Sequence, residues 1–233
     1  MKKQKHIAGF NPFRLKKDEL LWLLQHKCKH GHNYLEHPAC FVKERPPDCP
    51  FTEKIGFLDI EASNIKANFG IILSYCIKEE NGKIFSGVLT RHDIMSQNYD
   101  KKLIEKCIKD LRRFDRIVVY YGGDNRFDIP ELRTRAVMWG LDFPFYKEIK
   151  VLDLYSYIKR KFNFHCNRLE IACEFFGIKA KKHPIKYDVW IRAMSGDKKA
   201  LNYILTHNKE DVISLEKLYH KVVNYINGPN SSI

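Results

Sequence analysis

The chain reads as an α/β domain: a mixed five-stranded sheet with helices on both faces, preceded by a small N-terminal helix and a Cys/His-rich loop. Three observations predict this. Strand-like segments come first as a group of three, then alternate with helical periodicity, then give way to helices alone. The first of these strands, "IGFLDIEA", carries apolar residues on both faces, the pattern of a strand covered on both sides. Finally, 233 residues with 44% hydrophobic and 13% aromatic content are enough for one substantial core.

Taken in order, residues 13–27 form an amphipathic basic helix around Leu20, Leu21, Leu23 and Leu24. A Cys/His-rich loop follows to about residue 50 and ends in "ERPPDCP", whose prolines mark a boundary. This gives an N-terminal segment 1–50, a main domain 51–226 and a tail 227–233, "NGPNSSI", with the composition of a frayed end. Strands are expected at 55–61, 70–78 and 83–89, the last two joined by a two-residue hairpin loop at Asn81-Gly82. Leu103, Ile104, Cys107, Ile108 and Leu111 recur at helical spacing within 99–114. "RIVVYY" (116–121) is a short buried strand, "GGDN" (122–125) a turn, and a helix opens near Asp128. Aspartate is a good N-cap there, and Pro130 falls in the first turn. "KVLDLY" (150–155) is the fifth strand, followed by helices at about 155–161, 167–176, 187–194 and 197–226.

Forty-one Lys+Arg against 28 Asp+Glu leave a net charge of +13, which favours a polyanionic partner, most simply nucleic acid. No apolar run is long enough for a transmembrane helix, and the basic start "MKKQKHIAGFNPF" lacks the apolar core of a secretory signal, so no membrane partner is expected. Seven cysteines, an odd number, with Cys76, Cys107 and Cys173 inside predicted core elements, read as reduced thiols of a cytoplasmic protein.

Strand alternation puts Ile55, Phe57, Asp59 and Glu61 on one face. Two carboxylates on a covered face are costly to bury and repel each other, so a positive partner is expected between them. Asp128 follows directly on a central strand, where α/β sheets gather their sites. His207 and Asp211 lie one turn apart on the long last helix. Asp153 reads as a fifth acid near the site or as a structural strand-end residue. Gly122-Gly123 is not a phosphate-cradling loop, since no G-K-[ST] follows.

The order of these features, carried by "IGFLDIEAS", "RFDIPEL" and "HNKEDVISLEKLY", resembles the DEDD superfamily of 3′–5′ exonucleases on the ribonuclease H-like fold, closest to its YprB-type branch. The resemblance spans about residues 54–220. It implies metal-ligand roles for Asp59, Glu61, Asp128 and Asp211, and a water-activating role for His207. Such a site holds two Mg²⁺ or Mn²⁺ ions roughly 3.5–4 Å apart, one activating water and the other stabilising the departing oxygen. The sequence departs from the family at His207: there a Tyr precedes the last Asp by four residues, or a His by five. The expected activity is 3′–5′ exonucleolytic hydrolysis of single-stranded DNA or RNA. The alternatives are a non-catalytic nucleic-acid-binding module on the same fold and an endonuclease.

In "CKHGHNYLEHPAC", Cys28, His30, His37 and Cys40 offer the donors of a closed tetrahedral zinc site of structural kind. His26, His32 and Cys49 lie close by, the spacing is not that of a common zinc finger, and chance clustering among ten histidines is the alternative. For nucleic acid, "KRKFNFHCNR" (159–168) interleaves basic residues, Arg168 among them, with Phe162 and Phe164. "KAKKHPIK" (179–186) supplies Lys181, Lys182 and Lys186. The first segment reads equally well as a solvated basic face over two core phenylalanines.

Overall fold

The computed structural model describes residues 17–37, 39–41, 53–123, 126–145, 148–179 and 184–226. The chain divides into two compact units, Met1–Glu53 and Lys54–Ile233. In the first, helix α1 (Lys17–Gln25) leads into the Cys/His segment around a small core of Leu23, Cys28, Tyr34, Cys40 and Phe41. The second unit holds a single five-stranded sheet among the described residues, of order β3-β2-β1-β4-β5, with β1 Ile55–Ala62, β2 Ile72–Glu79, β3 Ile84–Val88, β4 Arg116–Val119 and β5 Lys150–Asp153. The first three strands pair antiparallel, and β1–β4 and β4–β5 pair parallel. The helices are α2 (Arg91–Met95), α3 (Lys101–Leu111), α4 (Asp128–Met138), α5 (Leu154–Lys161), α6 (Leu169–Phe175), α7 (Tyr187–Met194) and α8 (Lys198–Ile226).

Strand β1 is central, and its alternation separates two cores. Leu58 and Ile60 pack with Ile104, Ile108 and Leu132 of α3 and α4, while Ile55 and Phe57 pack with Val212, Leu215 and Tyr219 of α8. Asp59 and Glu61 share the face of Ile55 and Phe57, so they are turned towards α8. That helix is fixed to the sheet by polar contacts as well. Lys78 and Glu216, both largely buried, form an ion pair of 3.2 Å, and Glu216 also accepts from the Asn81 N–H at 2.6 Å.

Some expectations need correction. The β2–β3 hairpin closes between Glu79 and Lys83, so its loop is residues 80–82, not Asn81-Gly82 alone. Asn81 has φ 53°, whereas a two-residue loop of the expected kind needs consecutive left-handed residues. Helix α2 was not expected at all; a capping box between Thr90 and Asp93 starts it, despite the absence of any buried residue. Phe162 and Phe164 pack with Phe176, and Phe162 also with Tyr225, against the α8 side of the core. Both are partly buried and pack against that core.

Candidate active site

The C-terminal half of β1 delivers the first two acids. Its ladder with β2 runs in register through Glu61↔Ser74 and then shifts, so that Ala62 faces Ile72. The unpaired residue, Leu73, lies on β2, so the ladder is interrupted just beyond Glu61. Ser74, opposite Glu61, takes a hydrogen bond from Asn208 Nδ2 at 3.3 Å. Asn208 is buried and adjoins His207, so this bond sets the position of α8 along the strand at the level of Glu61.

The consequence is a cluster. His207 Nε2 lies 3.7 Å from Glu61 Oε1 and 3.3 Å from Asp211 Oδ2, and one donor atom from each of the three falls within 4.8 Å of the others. Asp59 and Asp128 stand beside this trio without joining it. The imidazole therefore sits where a metal ligand could sit, in addition to the water-activating role that the resemblance implies.

Asp128 is the first residue of α4 and is 2% exposed. It does not cap its own helix, as the sequence suggested: Phe127 holds the cap position and makes no side-chain cap bond. Instead Asp128 Oδ1 accepts from the Ile60 N–H at 3.3 Å, between the two acids of β1. Space for this comes from Gly122, where any Cβ would overlap Asp128 Oδ2 outright. Thus the glycine after β4 admits the third acid; it cradles a carboxylate, not a phosphate.

Asp153 has a structural task. Its Oδ1 accepts from the N–H groups of Tyr121 (3.0 Å) and Tyr155 (3.1 Å), its Oδ2 accepts from Gly123 N (3.3 Å), and Arg126 Nε pairs with it at 2.9 Å. These bonds hold the turn after β4, where Tyr121 has φ 63°, and cap α5. The Arg126 guanidinium lies between the rings of Tyr121 (4.6 Å) and Tyr155 (4.3 Å). Sequence reasoning missed Arg126, although its place between "GGD" and Asp128 marked it.

The electrostatics of the cluster follow from this packing. Burial, then Asp128, Glu61 and Asp211, hold the Asp59 carboxyl well above its ordinary value. Burial, then Asp211 and Asp128, push Glu61 up to about 8. Asp128 is raised to about 7 by burial and Asp153, against the opposing pull of the Ile60 N–H. Asp211 is raised by burial, with His207 opposing. Four carboxyls raised by desolvation, Asp59 and Glu61 also by their neighbours in the cluster, fit a site completed by divalent cations, whose charge would offset the repulsion. Carboxylate oxygens are the donors that hard divalent cations take.

The remaining predicted positions fall elsewhere. Cys28, His30, His37 and Cys40 come together in the N-terminal unit, while Cys49 lies outside the described residues. Arg168 and Lys186 are exposed at the N-caps of α6 and α7; Lys181 and Lys182 lie outside the described residues. Among the described residues no helix is long and apolar enough to cross a membrane.

Comparison with known proteins agrees with the architecture. The chain is 27% identical over 183 residues to a DNA polymerase of Methanocaldococcus jannaschii, an alignment covering 66% of this chain and 11% of the polymerase. Its fold is similar to that of the family B DNA polymerase from the hyperthermophilic archaeon Pyrobaculum calidifontis. The TM-score is 0.56 at 16% identity, over 78% of this chain and 26% of that one. The chain thus corresponds to a small part of either polymerase. The profile of the RNase_H superfamily matches residues 56–223, nearly the whole sheet domain with all four acids inside it. The chain belongs to the RNase H superfamily.

Proposed function

We propose that the chain is a divalent-metal-dependent nuclease of the DEDD type, closest to the YprB-type branch, acting as a 3′–5′ exonuclease on single-stranded DNA or RNA. One observation carries this reading: Asp59, Glu61, Asp128 and Asp211, from three separate elements, are all desolvated, and each carboxyl is raised above its ordinary value. A fold gains nothing from such crowding unless cations complete it. Similarity to DNA polymerases and the net charge of +13 support nucleic acid as the partner.

In this reading Asp59, Glu61, Asp128 and Asp211 hold Mg²⁺ or Mn²⁺. When bound, the cations supply charge for the phosphate, an acidified water and stabilisation of the departing oxygen. The Ile60 N–H and the space at Gly122 keep Asp128 aimed at the site. His207, within reach of Glu61 and Asp211, orients the attacking water or takes its proton; its 3.7 Å and 3.3 Å separations also favour a second reading, as a ligand. Arg168 and Lys186 would meet phosphates of the strand.

The test is incubation with end-labelled linear and with circular single strands, in Mn²⁺ or in EDTA. Mononucleotide release from the 3′ end of linear strands only, abolished by EDTA, is expected. Cutting of circles would replace the exonuclease by an endonuclease. Binding without cleavage in any metal would leave a nucleic-acid-binding module.

A further inference from the structure

We propose that Cys28, His30, His37 and Cys40 form a tetrahedral zinc site that holds the N-terminal unit together, separate from the acidic site and from its reaction. The geometry carries it first. Cys28 Sγ lies 3.9 Å from His30 Nδ1 and 3.7 Å from His37 Nδ1; Cys40 Sγ lies 3.1 Å and 3.3 Å from the same two atoms. Zinc bonds of about 2.3 Å to sulfur and about 2.0–2.1 Å to nitrogen, at tetrahedral angles, place sulfur and nitrogen about 3.6 Å apart. The four separations straddle that value. Each ring nitrogen, moreover, faces both sulfurs. A neutral imidazole nitrogen serves one thiol at a time, whereas a cation at the centre serves all four donors at once.

The local backbone is built to the same end. The Gly31 N–H donates to Cys28 O at 2.8 Å and the Cys28 N–H to His32 O at 2.9 Å, with Gly31 at φ 83° and Lys27 bridged to Asn33. This tight turn brings Cys28 and His30 to one point. On the other side, the His37 N–H donates to Asn33 O and the Cys40 N–H to His37 O, both at 3.0 Å. Both sulfurs are inside, each residue 4% exposed, and among the described residues they sit in one small core with Leu23, Tyr34 and Phe41. A bound metal would add its binding free energy to the folding of this unit. The charge closes as well. Two thiols each lose a proton and two imidazoles bind neutral, so Zn²⁺ is neutralised with two protons released and no electron transferred. A d¹⁰ ion of borderline softness suits mixed sulfur and nitrogen donors; magnesium and manganese prefer the oxygen donors of the acidic site.

The experiment uses the full chain, purified without added metal. Elemental analysis should find about one zinc per chain. Exchange to Co²⁺ should give the visible absorption of a tetrahedral ion together with a thiolate-to-cobalt charge-transfer band. The charge-transfer band should vanish when Cys28 and Cys40 are both replaced by Ser and persist in His32→Ala, which removes a neighbouring imidazole outside the four. Less than about a tenth of an equivalent of zinc and no charge-transfer band in the unmutated protein would overturn the proposal, whatever the variants do. A band that survives the double replacement would overturn the assigned ligands. Neither readout depends on nuclease activity, so failure of the nuclease reading leaves this result standing.

Discussion

At the scale of single residues, the acids divide by how they are held. Asp59→Asn or Asp211→Asn should remove cleavage. Losing a group that merely supports a metal ligand costs about 10–100-fold, and loss of a ligand should exceed that. The same substitutions should raise the melting temperature of metal-free protein near pH 8 by relieving repulsion; a mutant at wild-type rate would sink the assignment. Gly122→Ala probes Asp128 from behind, since the methyl group displaces its carboxylate. The rate should fall at least about tenfold with the far-ultraviolet spectrum unchanged. His207 separates two roles. If it handles the attacking water, His207→Ala should lose about 10²–10⁴-fold in rate with metal affinity nearly intact. If it is a ligand, the metal concentration for half-maximal activity should rise instead. His207→Tyr refines the first outcome: rescue means orientation, while a rate as low as that of Ala means proton acceptance.

At the scale of elements, a buried ion pair ties the β1–β2 connection to α4. Arg135 pairs with Asp100 through two nitrogens, Asp100 also accepts from the Ile72 N–H and from Trp139 Nε1, and Arg135 Nη1 donates to Ala67 O. Removing one partner strands a buried charge, so Arg135→Met should cost about 3–5 kcal/mol in urea unfolding. A loss below about 1 kcal/mol would show that Asp100 is satisfied without it. The strands and long helices were legible because each carries its own period: two faces of β1, one stripe of α3 or α8. What was not legible depends on distant partners. Asp128 has the local chemistry of a cap, and only the Ile60 N–H draws it away. Phe162 and Phe164 could be read as base-stacking rings or as core, and their packing on Phe176 and Tyr225 was not visible in the sequence. Asp153 could be read either way until Tyr121, Gly123 and Arg126 were placed around it. The four acids were read from their order along the elements and from the family resemblance that order carries, whereas the position of the His207 imidazole beside Glu61 and Asp211 required coordinates.

At the scale of the whole molecule, the raised carboxyls set a pH dependence. Glu61 is pushed to about 8 and Asp128 to about 7, both above their ordinary values, so between about pH 4 and 8 the folded metal-free protein holds protons that the unfolded chain has released. Their contribution is complete below that window and is lost as pH rises through it. Thermal melts in EDTA should therefore decline from pH 5 to pH 8. Glu61→Gln should flatten the decline, and saturating Mg²⁺ should reverse much of it, because metal binding displaces the same protons. A stability that rises over this range in EDTA would contradict the cluster as described. The net charge of +13 gives a second global expectation. Affinity for a single strand should fall steeply with salt, and replacing Arg168 and Lys186 together by Ala should make the slope shallower by up to about two phosphate contacts.

The placement of His207 and Asp211 on α8, far along the chain from Asp59 and Glu61, has a consequence in time. Catalytic competence cannot precede the docking of that helix onto β1 and β2, one of the longest-range contacts the domain makes. On the proposed reading, a chain whose last long helix has not docked lacks Asp211 and His207 at the site and is inactive. Regain of activity on refolding should therefore lag behind the recovery of sheet signal.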